Sequence, residues 1–450
     1  MQFDNDRILA RFSGMIACET ISNSDPLQAD DAPFFALHRY LEETYPLAHR
    51  HLTREVVGKA SLIYRWQGDG SSPALPCALL AHLDVVPVGD LSLWDSPPFT
   101  LTRRDGYVYG RGVLDNKCQL LAQMEAVEAL LSEGWSPPCD IYLCYGHNEE
   151  VLAPDSGAAA IVETLKQRGV RLGLVIDEGG CITDGSTLGI APRVAVIGMA
   201  EKGIADFRLT VQDPGGHASQ PGPTSAVGRI ARVAVKLEDN PMPQRLISSV
   251  SQTLQQVGPY MGKGARLLLE HQSASWGILK GVLARSRATN AMTRTTTAVT
   301  MASGSAASNV LPETASITVN CRILPGDTLE DVRRHLQQAA GNDVAVELLA
   351  GSEASPESRQ DETFELLASL AAELAPDAVV TPYLMMAGSD ARHYYAISDH
   401  VYRFAPYYFD EKALPTTHSA NECLPETGFD EAARFYAKLL MRYGARESQS

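Results

Sequence analysis

The stretch that decides the fold is Cys144-Tyr145-Gly146-His147-Asn148-Glu149-Glu150, which continues Ile141-Tyr142-Leu143. Ile141 to Tyr145 read as a buried strand of mostly apolar residues. A glycine breaks the strand and two adjacent carboxylates follow. In an open α/β sheet, chemistry gathers just beyond the carboxyl ends of the strands. Neighbouring residues in a tight turn point in different directions, so one carboxylate is free to bind a metal while the other handles a proton. Glutamate is mostly solvent-exposed in proteins, so a solvated pair is the plain alternative. The choice between the two rests on what the rest of the chain supplies.

Upstream, Ala78-Leu79-Leu80-Ala81-His82-Leu83-Asp84 is a second apolar run ending in His-x-Asp. A carboxylate two residues from a histidine can hold one imidazole nitrogen while the other binds a metal. Between these runs, Tyr109-Gly110-Arg111-Gly112 forms a tight loop before Asp115. Asp115 opens a helix with Leu120, Leu121, Met124, Val127, Leu130 and Leu131 on one stripe, stopped by Gly134 and Pro137. Asp in that position is ordinarily an N-cap, which is the structural alternative to a ligand. Downstream, a helix containing Ile161, Val162 and Leu165 precedes the strand Leu172 to Ile176, which runs into Asp177-Glu178. Strand, helix and strand alternate from 78 to 177, which predicts a mainly parallel sheet. Three strand ends then deliver His or acid side chains, the ligand types taken by Zn²⁺ and similar cations.

The pattern changes near 198. Phe207, Leu209 and Val211 alternate with Arg208 and Thr210, as on a half-exposed antiparallel strand. Gly215-Gly216-His217 and a helix from 224 to 238 follow. Residues 240–305 are rich in Ser, Thr and Gln and read as less regular. Ile317, Val319, Cys321 and Ile323 alternate again, Thr328 caps a helix to 339, and Val344 to Leu349 returns as a strand. This is a small α+β layer inserted at 198–351, dividing the α/β catalytic domain into 1–197 and 352–450. After the insertion come Gly388-Ser389-Asp390-Ala391-Arg392-His393-Tyr394 and Thr416-Thr417-His418-Ser419.

Composition narrows the class. The chain has 450 residues, 45% apolar and 20% charged, as expected for a globular protein with an ample core. The net charge of −16, with its acids spread widely, excludes the basic face of a nucleic-acid binder. Eight cysteines, with no CxxC pair, read as reduced core residues and predict a cytoplasmic protein. The N-terminus lacks a basic region followed by an apolar core, so no signal peptide is expected. No apolar run approaches the roughly 20 residues of a membrane helix, so no membrane partner is expected.

Taken together, the segments around His82, Asp115, Glu149-Glu150, Asp177, His217 and His418 resemble the dinuclear zinc metallopeptidases. That family includes aminoacylase-1, carboxypeptidase G2, succinyl-diaminopimelate desuccinylase, carnosinase and carboxypeptidase S. The motifs run in order along nearly the whole chain. His82 to Val88, Trp94, Pro97-Pro98-Phe99 and Gly388 to Tyr394 resemble the carboxypeptidase S and N-fatty-acyl-amino-acid hydrolase branch. The resemblance implies a zinc-peptidase-like, doubly wound sheet with a ferredoxin-like lid that dimerises the protein. It implies two Zn²⁺ per chain, replaceable by Co²⁺ or Mn²⁺. Asp115 would bridge them. Glu150 and His418 would complete one site, and His82 with Asp177 the other, Glu178 being the neighbouring alternative. Asp84 would orient His82, and Glu149 would be the general base. His217 would reach across a dimer to the substrate carbonyl. Asn309 and Arg322 would bind substrate, Arg322 being suited to a free carboxylate, and Arg392 and His393 are either further substrate contacts or structural.

The implied activity is hydrolysis of an amide bond next to a free carboxylate, in peptides or N-acyl amino acids. An aminoacylase or dipeptidase with a small pocket is the variant within that class. A homologue that has lost its metal and only binds would lack a ligand or Glu149, and none is missing. A glycosidase using Glu149 and Glu150 would leave His82 and His418 without a role. Two positions depart from the family pattern. Asn148 stands where many relatives have Asp, and Val151 to Ser156 replaces a glycine-rich turn.

Overall fold

A computed structural model describes residues 1–23, 30–151 and 157–445. The predicted strand runs Ile141–Gly146, with every residue buried. It lies in a ten-stranded sheet. Cys77–His82 pairs parallel with it on one side and with Leu174–Asp177 on the other. Val401–Arg403 then pairs parallel with Leu174–Asp177. Strands buried on both faces need continuous apolar runs rather than alternation, as Cys77 to Ala81 and Ile141 to Tyr145 provide. Because these four strands are parallel, His82, Gly146 and Asp177 all end at the same edge. The flanks turn antiparallel, with Thr53–Val57 and Ser61–Trp66 at one side. On the other side Val194–Glu201 pairs antiparallel with Ile182–Thr183.

The helix Lys117–Ser132 is buried from Lys117 to Val127, not only along its leucine stripe. Its polar residues have partners: the Gln119 and Gln123 amides donate to the Leu80 carbonyl at 3.0 and 2.7 Å. A second packed layer joins Leu80, Tyr142, Cys144 and Val175 of the sheet to Ile161 and Leu165 of the helix Ala158–Gln167. All eight cysteines are free, and seven are buried. No described helix is long and apolar enough to cross a membrane.

The chain separates into two compact units. The first comprises 1–199, 358–383 and 389–450, and the second 200–357 with 384–388. The inserted segment therefore extends past the predicted 351. Residues 353–357 stay with the second unit because they anchor it. The Glu353 carboxylate accepts the Leu329 N–H at 3.0 Å, and Glu357 accepts the Ser249 N–H at 2.7 Å. The Ser355 hydroxyl accepts the Glu201 N–H at 2.8 Å.

The second unit holds an antiparallel sheet in the order Thr296–Ser303, Thr314–Ile323, Gly203–Gln212, Ala345–Ser352. Phe207, Leu209, Val211, Ile317 and Val319 face a core with Ile230, Val233, Val332 and Leu336 of the helices Ala226–Asp239 and Leu329–Ala340. A Thr328–Asp331 capping box starts the second of those helices. The expectation of irregular structure at 240–305 is corrected. Four helices, Ser248–Val257, Lys263–Glu270, Gln272–Leu283 and Arg287–Thr293, occupy most of it. Val250, Leu254, Leu279 and Leu283 sit at i, i+4 spacing and form a separate core with Leu324 and Leu384. The intervening Ser, Thr and Gln residues hid this period.

Phe207 is fully buried at the centre of the inserted unit. Phe207→Ala is expected to cost about 3–5 kcal/mol of that unit's stability, read by urea unfolding. A loss below about 1 kcal/mol would show that this core is not packed.

Candidate metal centre

Three parallel strand ends and two loops, those of Asp115 and His418, build the site, all within the first unit. His82 ends its strand with only 1% of its surface exposed. Its Nδ1 lies 3.0 Å from the Asp84 carbonyl and 3.3 Å from Asp84 Oδ1. That directs Nε2 to Asp115 Oδ1 at 2.9 Å and to Glu178 Oε1 at 3.4 Å. The second oxygen of Asp115 lies 3.0 Å from His418 Nε2, which is also 3.1 Å from Glu150 Oε2. Asp115 thus presents one oxygen to each histidine. Three overlapping groups, His82–Asp115–Glu178, Asp115–Glu150–His418 and His82–Glu149–Glu150, each hold their ligand atoms within 4.8 Å of one another.

Asp115 does not cap its helix. Asn116 occupies the cap position, without a capping side-chain bond. The Asn116 Oδ1 instead accepts the His82 N–H at 3.1 Å.

The preference for Asp177 over Glu178 gives way. Asp177 Oδ1 accepts the Glu178 N–H at 2.9 Å, and its carbonyl accepts from Phe404 at 2.7 Å. Successive side chains at a strand end point to opposite sides, so only one of the pair can face the cluster. That residue is Glu178.

Asp84 does more than orient His82. Its two oxygens accept the N–H groups of Glu149 and Glu150, each at 3.1 Å. The turn carrying both glutamates is therefore fixed to the strand end carrying His82. Asn148 has a local job as well. A Cβ on Gly157, whose φ is +60°, would lie 1.9 Å from Asn148 Oδ1, so the Asn148 amide packs directly on the glycine backbone. Leu152 to Ser156, the rest of the loop noted from sequence, lie outside the described residues.

The electrostatics follow from crowding. Burial pushes Glu149 well above the usual carboxyl range, with Glu178, Asp390 and Asp115 adding to it against the pull of His82. Burial, then Asp115, pushes Glu178 up to about 8. Burial would raise Asp115 too, but hydrogen bonds from His418 and His82 hold it far below the usual range. Asp115 and Glu150 push His418 up to about 10. Glu150 Oε1 is buried without a hydrogen-bond partner. Four acids and two imidazoles, packed with an unsatisfied oxygen, are a donor set that fits divalent cations.

Sequence reasoning noticed Asp390 only as part of a motif. It is 7% exposed, and burial with the charge of Asp177 raises it to about 7. Its Oδ2 would lie 2.3 Å from a Cβ on Gly146, which explains the glycine that breaks the strand. Arg392 is half-buried and donates to the Ser389 carbonyl at 2.9 Å.

In the second unit, His217 and Asn309 are neighbours on a two-stranded ribbon. His217 pairs with Val310, and the Asn309 carbonyl accepts the Ala218 N–H at 3.0 Å. His217 is exposed, with Nδ1 2.7 Å from the Ser219 hydroxyl. Arg322 is half-buried on the strand Thr314–Ile323, opposite Ile204 and Thr296.

Comparison with known proteins identifies relatives over nearly the whole chain. The family described as "Peptidase family M20/M25/M40" matches residues 78–442. The N-fatty-acyl-amino acid synthase/hydrolase PM20D1.1 of Danio rerio is 33% identical over 98% of this chain and 86% of its own length. The probable carboxypeptidase S-like 2 of Dictyostelium discoideum is 32% identical over 94% of this chain and 82% of its own. Among solved structures, the M20 family metallo-carboxypeptidase Sso-CP2 from Sulfolobus solfataricus superposes with a TM-score of 0.70 at 16% identity, covering 98% of this chain and 99% of that one. That likeness establishes the shared fold.

Two predictions follow from the cluster. Glu178→Ala is expected to lower bound zinc by one equivalent while Asp177→Asn retains it, read by elemental analysis after dialysis; the reverse pattern would restore Asp177 as the ligand. Zinc uptake at pH 7 is also expected to release protons. The His418 imidazole, at about 10, and the Glu178 carboxyl, at about 8, hold theirs at that pH and must give them up to bind metal. Affinity therefore rises with pH through that window. Calorimetry in two buffers of different ionisation enthalpy measures the release, and identical heats would refute it.

Proposed function

Because the chain belongs to the peptidase family M20/M25/M40, we propose that it is a metal-dependent hydrolase cleaving an amide bond next to a free carboxylate, in peptides or N-acyl amino acids. One observation carries the reading: Asp115 stands between His82 and His418, with Glu149 in the same cluster. His82, Asp115 and Glu178 would hold one zinc, and Asp115, Glu150 and His418 the other, with Co²⁺ or Mn²⁺ able to substitute. Such a pair supplies Lewis-acid polarisation of the scissile carbonyl and acidifies water to a pKa near about 7.

The chain's own groups do the rest. Glu149 takes the proton from the attacking water and returns it to the leaving amine, so it must be ionised at the start and protonated midway. A carboxyl raised by burial and like charges has the basicity for that exchange. Asp84 holds the Glu149 backbone while leaving its carboxylate free. Arg322 or Arg392 receives the free carboxylate of the substrate, and Asn309 a neighbouring polar group. His217 donates to the carbonyl oxygen of a substrate held by a second chain, as its exposure beside Asn309 supports. The homodimer this needs would form through the inserted unit. Val227 and Val235 on its helix and Met301 on its edge strand are exposed, at 45, 56 and 67%. The free cysteines support a reducing, cytoplasmic setting.

The test is a hydrolysis screen over dipeptides and N-acyl amino acids of short and long chain, with zinc, cobalt and manganese. Glu149→Ala is expected to lower kcat by about 10²–10⁴-fold with metal content unchanged. Near-normal turnover by that variant would remove Glu149 as the base. Turnover by a strictly monomeric protein would remove the role of His217 across a dimer.

A further inference from the structure

Glu422 lies four residues beyond His418, and its side chain is fully buried. Oε1 accepts the N–H groups of Leu114 at 2.8 Å and Asp115 at 3.1 Å. Both carboxylate oxygens lie 3.1 Å from the Gly112 N–H. Oε2 accepts from Arg111 Nη1 at 2.7 Å. The Glu422 carbonyl accepts the Gly110 N–H at 3.1 Å, and the following strand Cys423–Pro425 pairs with Tyr107–Tyr109. Both its carboxylate and its carbonyl therefore bond the segment 110–115.

That segment is neither helix nor strand, so no ladder fixes it. Three of its N–H groups, those of Gly112, Leu114 and Asp115, converge on one carboxylate, an anion nest formed by the protein's own side chain. The turn is close-packed: Gly112 has φ +88°, and a Cβ there would meet Val85 Cγ1 at 2.8 Å. On its other side, Glu422 continues the loop of His418. His418 and Asn421 take positive φ values of 60° and 58°. The Asn421 side chain secures that loop by donating to the Leu93 carbonyl at 3.0 Å and accepting the Asp95 N–H at 2.8 Å.

We propose that Glu422 is a positioning residue of the metal centre. From one buried point it fixes the backbone of Asp115, which faces both histidines, and the loop of His418, which completes the second ligand group. The spacing of the two is thus set before metal arrives. The inference rests on the metal reading given above. It differs from a merely structural role because the carboxylate bonds the ligand's own backbone N–H.

The experiment compares wild-type protein with Glu422→Gln and Glu422→Asp. Zinc affinity is measured by chelator competition, and the visible spectrum of the cobalt-loaded protein is recorded. Both variants are expected to bind zinc about 10–100-fold more weakly, the usual effect of losing a group that orients a ligand. Their cobalt bands shift, and saturating zinc restores most of kcat with KM unchanged. Wild-type affinity together with a wild-type cobalt spectrum in folded variants overturns the proposal. Hydrogen exchange on metal-free wild-type protein provides a readout that needs no variant. Slow exchange at Gly112, Leu114 and Asp115 is expected, and fast exchange there overturns the proposal even if neither variant folds. Wild-type protein that binds no zinc sinks the metal reading and this one together; two bound zincs with unaffected variants sink this one alone.

Discussion

The Asp84 carboxylate is the constraint on which the rest of the site depends. It is fully buried, and among the described residues its ion-pair partner is His82 rather than a lysine or arginine. Its charge is held instead by the imidazole and by two backbone N–H groups from the Glu149–Glu150 turn. A buried charge without such partners would cost several kcal/mol, on the order of 3–5 when one partner is removed. Satisfying Asp84 therefore dictates both the tautomer of His82 and the path of the chain after Gly146. One aspartate converts two separate strand ends into a single rigid frame.

Within that frame, acids are gathered against their mutual repulsion. Glu149, Glu150 and Glu178 are all raised by burial, whereas Asp115 is held low by two imidazoles. The environments have pushed neighbouring carboxyl groups apart in proton affinity. That separation lets chemically similar residues divide the work between holding a cation and moving a proton. The fold supplies the energy for this crowding through its packed layers, such as the helix Lys117–Ser132, buried on all sides from Lys117 to Val127.

The legible parts of the sequence were those with a strong period. Cys77 to Ala81 and Ile141 to Tyr145 could only be strands covered on both faces, and that placed His82 and Glu149-Glu150 at one edge. Alternation from Phe207 to Val211 likewise gave the inserted sheet. Asp177 and Glu178 were harder, because adjacency in sequence hides which side of the strand end each occupies. Residues 248–293 misled because Ser, Thr and Gln fill the faces between Val250, Leu254, Leu279 and Leu283. Asn116, Glu422 and the second task of Asp84 carry no local signal. Their partners lie 34, 308 and 65 positions away, and only the folded chain brings them together.

The inserted unit leaves and rejoins its host at adjacent points, where the Glu201 N–H meets the Ser355 hydroxyl. Its host is interrupted in mid-sheet: Val401–Arg403 must slot beside Leu174–Asp177, more than two hundred residues earlier in the chain. During synthesis the first 199 residues emerge with that central edge open and apolar. Most of the insertion, residues 200–357, precedes the missing strand in the chain, and 384–388 complete it with Leu384. The order of translation therefore delivers residues 200–357 of the guest before the strand that closes the sheet of the host. Until residue 403 arrives, the strand that ends in Asp177 has one edge paired with Cys77–His82 and the other open, and an open apolar edge is exposed to wrong partners.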